Sequence, residues 1–298
     1  MAAAGPPSGR GRFLSAIRAT VGVMSQPRTY PNGVPSWVDI EQPDPDAAQS
    51  FYGRLFGWSF ETVSRTKVPF YAVATVDGGA DVAGLGAAAD TAAVWNTYVA
   101  VDDADATAAR IWAAGGEVST EPVDVGEAGR LAVCRDPAGA EFRLWQARRR
   151  RGAQRVNAPG CWNFSDLHTD RPQTAGFYTD VFGWEIEDLG FATFVRRPGY
   201  GDHLEATIDP DIRQRHADVA APPGFEDAIA WVAAPEPGTG PHWHVTFAVA
   251  DRDASASEAQ QLGAEVLSTQ DTQWTRTALI RDPQGAVFTA SQFTPPTR

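Results

Sequence analysis

The sequence predicts an α+β protein of two tandem domains, each assembled from two strand–helix–three-strand units. Three observations lead there. Asp44 to Glu61 (DPDAAQSFYGRLFGWSFE) is echoed 126 residues later by Asp170 to Glu187 (DRPQTAGFYTDVFGWEIE). Arg135 to Ala140 (RDPAGA) returns as Arg281 to Ala286 (RDPQGA) at an offset of 146. Within each copy, an alternating strand followed by a helical period occurs twice. A repeat of this size marks two copies of one fold, so each polar residue can be weighed against its counterpart.

In the first unit, Trp37 to Glu41 alternates apolar and acidic residues, as a half-buried strand does. Asp44 is placed to cap a helix with Pro45 in its first turn, and Ala47, Ala48, Phe51, Tyr52 and Leu55 follow at helical spacing. Gly57 closes it and Trp58 opens the next strand. Phe70 to Val76 and a Gly/Ala-rich passage to Ala89 complete the unit. The second unit runs from a strand at Trp95–Val101 through a helix at Asp103–Ala114, closed by Gly115, to strands ending at Leu144-Trp145.

The second copy repeats this from Cys161 to Gln292, with Asp170 and Gln173 at capping-box spacing. Its extra segment, Asp209 to Gly240, reads as a mobile loop because it is rich in Pro, Gly and Ala. The expected boundaries are an N-terminal extension at 1–32, a first domain at 33–147, an Arg-rich exposed linker at 148–158 and a second domain at 159–293. Residues 1–32 contain Arg10, Arg12, Arg18 and Arg28 but no Asp or Glu. That composition suits a transit peptide, a disordered extension, or a start annotated upstream of Met24.

Composition narrows the function. A net charge of −12 argues against a nucleic-acid partner, whose phosphates would be repelled. No stretch approaches the ~20 apolar residues of a membrane span. Two cysteines, one per copy, exclude a disulfide framework and suit a reducing cytoplasm. The sequence has no G-x-S-x-G elbow, P-loop, dinucleotide glycine fingerprint or H-E-x-x-H helix.

The doubled unit, with its F-Y-x-x-(L/V)-F-G-W and D-P-x-G motifs, resembles the vicinal oxygen chelate superfamily of glyoxalases, bleomycin-resistance proteins and extradiol dioxygenases. The closest likeness is to two-domain bacterial members often labelled hydroxylase or glyoxalase-like, over roughly residues 33–293. The resemblance implies that paired units curve into open half-barrel sheets, each with a ligand pocket in its hollow. It also implies a lyase, isomerase or oxidoreductase if the chain is an enzyme. Two such domains in one chain make either a monomer or a homodimer reasonable.

Metal-using members of that superfamily carry ligands at three recurrent places. These lie fourteen residues before the helix Phe, on the strand opening the second unit, and seven residues after the Asp of D-P-x-G. Here those places hold Trp37, Asn96 and Arg143 in the first domain, and Asn163, His244 and Thr289 in the second. Indole and guanidinium groups cannot ligate a divalent cation, so no metal is expected in the first domain. In the second, His244 is a credible ligand, with His168 as its companion if a metal is held there. Trp162 lies one residue further from its helix Phe than Trp37 does, so a one-residue bulge would turn Asp166 or His168 toward His244.

The expected reading is therefore a pocket for a small organic molecule that needs no cofactor. Trp37, Glu41, Asn96, Tyr98, Arg143 and Trp145 line the first hollow, and Asn163, Asp166, His168 and Thr289 the second. Asp39 and His244 are the candidate catalytic bases. A plainer reading stands beside it: Trp37 and Trp145 as core, Asp39 or Glu41 as neutralisers of Arg143, Glu141 as a second partner of Arg143, and His244 as a hydrogen-bonded pocket histidine. The alternatives are a metal-dependent lyase or dioxygenase built on His244, with Glu205 as the spare acid on a strand, or a metal-free hydroxylase-like or epimerase-like enzyme.

Overall fold

The structure, a computed structural model, describes residues 27–64, 70–88, 93–171, 174–190, 192–219 and 221–295. The first half is a curved eight-stranded sheet. Its first unit comprises β1 (Pro35–Gln42), α1 (Pro45–Phe56), β2 (Ser59–Ser64), β3 (Tyr71–Val76) and β4 (Ala80–Ala87). Its second unit comprises β5 (Val94–Ala100), α2 (Ala104–Ala113), β6 (Glu117–Val125), β7 (Gly129–Arg135) and β8 (Glu141–Ala147). The strand order is β2-β3-β4-β1-β5-β8-β7-β6, with the two units joined antiparallel at β1–β5.

The second half has the same order, β10-β11-β12-β9-β13-β16-β15-β14. It is built from β9 (Trp162–His168), α3 (Thr174–Phe182), β10 (Glu185–Asp188), β11 (Thr193–Arg196), α4 (Tyr200–Thr207), α5 (Ile212–Asp218) and β12 (Ala228–Ala233). Then come β13 (His242–Ala248), α6 (Arg252–Gln261), β14 (Glu265–Asp271), β15 (Thr275–Arg281) and β16 (Val287–Phe293).

Local chemistry explains the element ends. Asp44, Asp103 and Asp251 each accept a hydrogen bond from the backbone N–H three residues on, capping α1, α2 and α6. Gly57 adopts φ 72° after α1, a left-handed conformation that suits glycine.

The repeated motifs tie one half to the other. In each D-P-x-G turn one carboxylate oxygen accepts two backbone N–H groups, from Ala138 and Ala140 to Asp136, and from Gln284 and Ala286 to Asp282. The other oxygen accepts the tyrosine of the opposite half: Tyr52 donates to Asp282 at 2.8 Å and Tyr178 to Asp136 at 3.0 Å. The tryptophans of F-G-W cross over as well, Trp58 Nε1 donating to the Gly160 carbonyl and Trp184 Nε1 to that of Gly33. Phe56 packs on Phe247 and Phe288, while Phe177 and Phe182 pack on Phe142. Both hydrophobic cores thus mix side chains of the two halves.

Four expectations change. The segment 209–240 is not simply a loop, because it contains α5, a 3-10 turn at Phe225–Asp227 and the sheet strand β12. Glu205 lies in α4, not on a strand, and pairs with Arg213. The fold begins before residue 33: the Arg28 guanidinium donates to Tyr200 and Tyr30 to the Ala153 carbonyl. The stretch after Arg148 is packed, with Ala153 fully buried and Arg148, Arg149, Arg150 and Arg155 paired to Asp124, Glu127, Asp81 and Asp77. The Asp170–Gln173 capping box involves Gln173, which lies outside the described residues, as does most of the N-terminal extension.

Candidate functional site

The two sheets can be superposed by register. Asp39 sits across from Asn96, and Asp166 across from His244. Trp37 faces Tyr98, and Phe164 faces Thr246. Tyr98 pairs with Arg143, and Thr246 with Thr289. Both first strands carry a one-residue irregularity, at Ser36 and at Asn163. Asn163 is the unpaired residue of its bulge, so Phe164 takes the place expected for it, and Asp166 and His168 share the face of His244.

In the first sheet the expected residues come together but fill the hollow. Asp39, 1 % exposed, accepts hydrogen bonds from Tyr98 (2.5 Å), Asn96 (2.9 Å), Tyr71 (3.1 Å) and Arg143 (3.5 Å). Arg143 also donates to Tyr98 at 2.9 Å and to Glu41 at 2.5 Å. Trp37 Nε1 donates to Tyr71, and Trp145 Nε1 to the Arg150 carbonyl while its ring meets Tyr98 edge-on. Burial alone disfavours the charged guanidinium, yet Tyr98, Asp39 and Glu41 override it and hold the Arg143 pKa above its ordinary value. Asp39 is thus a buried counter-ion, and the arrangement leaves it no open face for a base's work. Glu141 pairs with Arg135 instead of Arg143.

The closing group, Tyr71, was not foreseen. Its ring occupies space left by Gly84, where an added Cβ would overlap the Tyr71 hydroxyl.

The second hollow opens into a cleft of about 2360 Å³. Asp166, His168, His242, His244, Thr246 and Thr289 line its strand face, and Asn163 borders it. Trp231 and Phe225 form an aromatic wall, 6.1 Å between ring centroids, backed by Phe194 stacked on Phe225. The helices α4 and α5 and the turn after them, which the first copy lacks, supply Leu204, Ile212, His216 and Phe225. The wall was missed because Trp231 lies in a stretch read as loop, although its A-I-A-W-V-A alternation carries a strand signal.

The three imidazoles are close, His168 lying 4.9 Å from both His242 and His244 by ring centroid. His244 Nε2 shares a proton with Thr289 Oγ1 at 2.8 Å. Burial, then the neighbouring imidazoles, lowers the His244 pKa to about 3; burial and His242 lower that of His168 to about 4. Desolvation pushes Asp166 up to about 7, against a single hydrogen bond from the Trp231 backbone N–H at 3.1 Å. At neutral pH His168 and His244 are therefore uncharged. The charged residues that reach the cleft are otherwise engaged or exposed: Arg281 pairs with Glu265, Glu226 with Arg213, Arg28 bonds Tyr200, and Glu236 faces solvent.

The superfamily metal does not fit these residues. The ligand positions in the second sheet hold a phenyl ring (Phe164), His244 and a hydroxyl already engaged by that histidine. In the first they hold indole, amide and guanidinium. Among the described residues no group of three or more His, Cys, Asp or Glu side chains is placed to hold a metal ion.

Comparison with known proteins agrees with the fold. Residues 36–144 match the family model described as Glyoxalase/Bleomycin resistance protein/Dioxygenase superfamily, and residues 164–291 match a Glyoxalase-like domain. The chain is 35 % identical over 278 residues to CFP32 of Mycobacterium tuberculosis, which carries a glyoxylase name, covering 89 % of this chain and 97 % of that protein. It is 34 % identical over 280 residues to the anthracycline biosynthesis protein DnrV of Streptomyces peucetius, covering 88 % and 94 %.

Among solved structures, the Mn(II)-bound glyoxalase from Novosphingobium aromaticivorans is similar with a TM-score of 0.57 and 20 % identity, covering 88 % of this chain and 82 % of that one. The 2,3-dioxygenase LapB from Pseudomonas sp. KL28 is similar with a TM-score of 0.57 and 13 % identity, covering 89 % and 95 %. These two likenesses concern the fold alone.

Proposed function

The chain belongs to the glyoxalase/bleomycin resistance protein/dioxygenase superfamily, and on that premise we propose that it binds a small, uncharged aromatic molecule in the second hollow without a metal ion. The observation that carries this is the contrast between the two hollows. Asp39, Arg143 and Tyr71 close the first, whereas the second stays open, aromatic on one wall and lined on the other by uncharged His168 and His244, Thr246, Thr289 and Asp166, which has no counter-ion among the described residues. A flat ligand stacks on Trp231 and Phe225, and its oxygen atoms meet His168, His244 and Asp166. Among the described residues the arginines that reach the cleft are engaged, Arg281 by Glu265 and Arg28 by Tyr200, which disfavours phosphate or carboxylate ligands. The anthracycline-biosynthesis name of one relative makes a polycyclic aromatic the first class to try.

The same proposal extends to setting and assembly. Two unpaired, buried cysteines suit a reducing cytoplasm, and no described helix is long and apolar enough to cross a membrane. The partner is a small organic molecule, with no nucleic acid or membrane, and the chain acts as a monomer or homodimer.

Tryptophan fluorescence titration with an anthraquinone series tests the reading. Saturable quenching is expected, weakened about tenfold or more by Trp231→Ala, and insensitive to prior chelator treatment. The competing reading is a metal-dependent lyase or dioxygenase, since one structural neighbour is a Mn(II)-bound glyoxalase. Stoichiometric transition metal in the purified protein, lost in His244→Ala, would establish that reading instead.

A further inference from the structure

We propose that Asp166 is the acid–base residue of a metal-free proton transfer on an enolisable carbonyl compound bound in the second cleft, an inference that rests on the pocket reading above. The comparison of the two copies carries it. At this register position Asp39 is saturated by Tyr71, Asn96, Tyr98 and Arg143. Asp166 accepts one backbone hydrogen bond, on Oδ1, and among the described residues no side chain or cation engages it. The carboxyl faces the cleft and stands directly across the strand pair from His244. Accepting one backbone N–H does not require a carboxyl without a counter-ion in a desolvated wall, where its ionisation opposes stability.

The step balances without any redox partner. The Asp166 carboxylate removes a proton from the carbon beside the ligand carbonyl. That C–H electron pair becomes the C=C of the enolate, and the carbonyl pair moves onto oxygen. The His244–Thr289 couple holds one imidazole proton and one hydroxyl proton, uses one of them between themselves, and presents the other to that oxygen. Asp166 then returns its proton to the same carbon, giving exchange with solvent, or to a conjugated one, giving isomerisation.

The probe is 2-tetralone, a bicyclic aromatic ketone with acidic methylene protons, in buffered D2O. Calorimetry reads binding, and proton NMR reads loss of the C1 methylene signal. Exchange well above buffer is expected, and at 2-tetralone concentrations that calorimetry shows to saturate each protein it falls at least about 100-fold in Asp166→Asn. Should Asp166→Asn lose its circular-dichroism signature, Asp166→Ala with added formate carries the same test, with formate restoring exchange. Binding without exchange, or exchange equal in wild type and Asp166→Asn, overturns the role of Asp166 and leaves the pocket intact. Absence of binding heat overturns the pocket reading and this inference with it.

Discussion

Asp39 and Asp166 hold one register position in two copies of the same sheet, and only Asp39 is met by a cation, Arg143. The difference propagates outward. Around Asp39 the arginine, two tyrosines and an asparagine consume the space a ligand would need. Around Asp166 the corresponding places hold His244, Thr246 and Thr289, which are smaller or uncharged and leave a cleft.

Removing Asp39 should therefore be a matter of stability and not of ligand binding. Asp39→Ala leaves the buried Arg143 with the half-exposed Glu41 as its one carboxylate among the described residues, and a loss of about 3 kcal/mol in urea unfolding is expected. Quenching by ligand in the second cleft should be unchanged under native conditions.

Gly84→Ala should be costly for a residue so small. The new methyl overlaps the Tyr71 hydroxyl and crowds Asp39 Cβ at 2.8 Å, so Tyr71 must leave its place in the network. A destabilisation of about 2 kcal/mol is expected. The double variant with Tyr71→Phe should recover part of it, which thermal unfolding of the three proteins will show.

The pH dependence of stability separates the pocket groups by sign. His244 and His168 have folded pKa values of about 3 and about 4, below the ordinary 6.5. As pH falls below 6.5 the unfolded chain takes up protons first, so stability that is whole above that pH drains away, at roughly 1.4 kcal/mol per pH unit for each group. Asp166 opposes this. Its folded pKa of about 7 lies above the ordinary 3.8, so the folded state holds the extra proton and gains as pH falls from 7 toward 4. Urea unfolding between pH 4 and 7 should show a shallower acid loss in His244→Gln and a steeper one in Asp166→Asn.

Tyr52→Phe and Tyr178→Phe each remove a buried hydrogen bond to a carboxylate in the opposite half. A cost of about 2 kcal/mol apiece is expected. Both variants should still unfold in one transition by fluorescence and circular dichroism alike. Two separated transitions in the wild type would refute the interlocked cores.

Much of this was legible because it is written in local chemistry. The cap at Asp44, the left-handed Gly57 and the doubled unit follow from short-range residue choices. The polar residues of both hollows follow from strand alternation. What escaped depends on partners far along the chain. Tyr52 and Trp58 look like core residues of their own copy, and nothing near them says that Asp282 and Gly160 are their acceptors. The closure by Tyr71 needs the cross-strand space at Gly84, and the position of Phe164 depends on where the bulge falls. The helix α5 and the strand carrying Trp231 were hidden by the Pro and Gly around them.

The crossing tyrosines and tryptophans make each half depend on the other. A polypeptide carrying one sheet alone would bare Phe56 or Phe182 and leave the acceptor of its own turn, Asp136 or Asp282, unmet. Such a chain would need a second copy of itself to cover those groups, and joining both copies in one chain supplies that cover at every concentration. Because the two copies need not be identical in one chain, one hollow can be packed as scaffold while the other stays open.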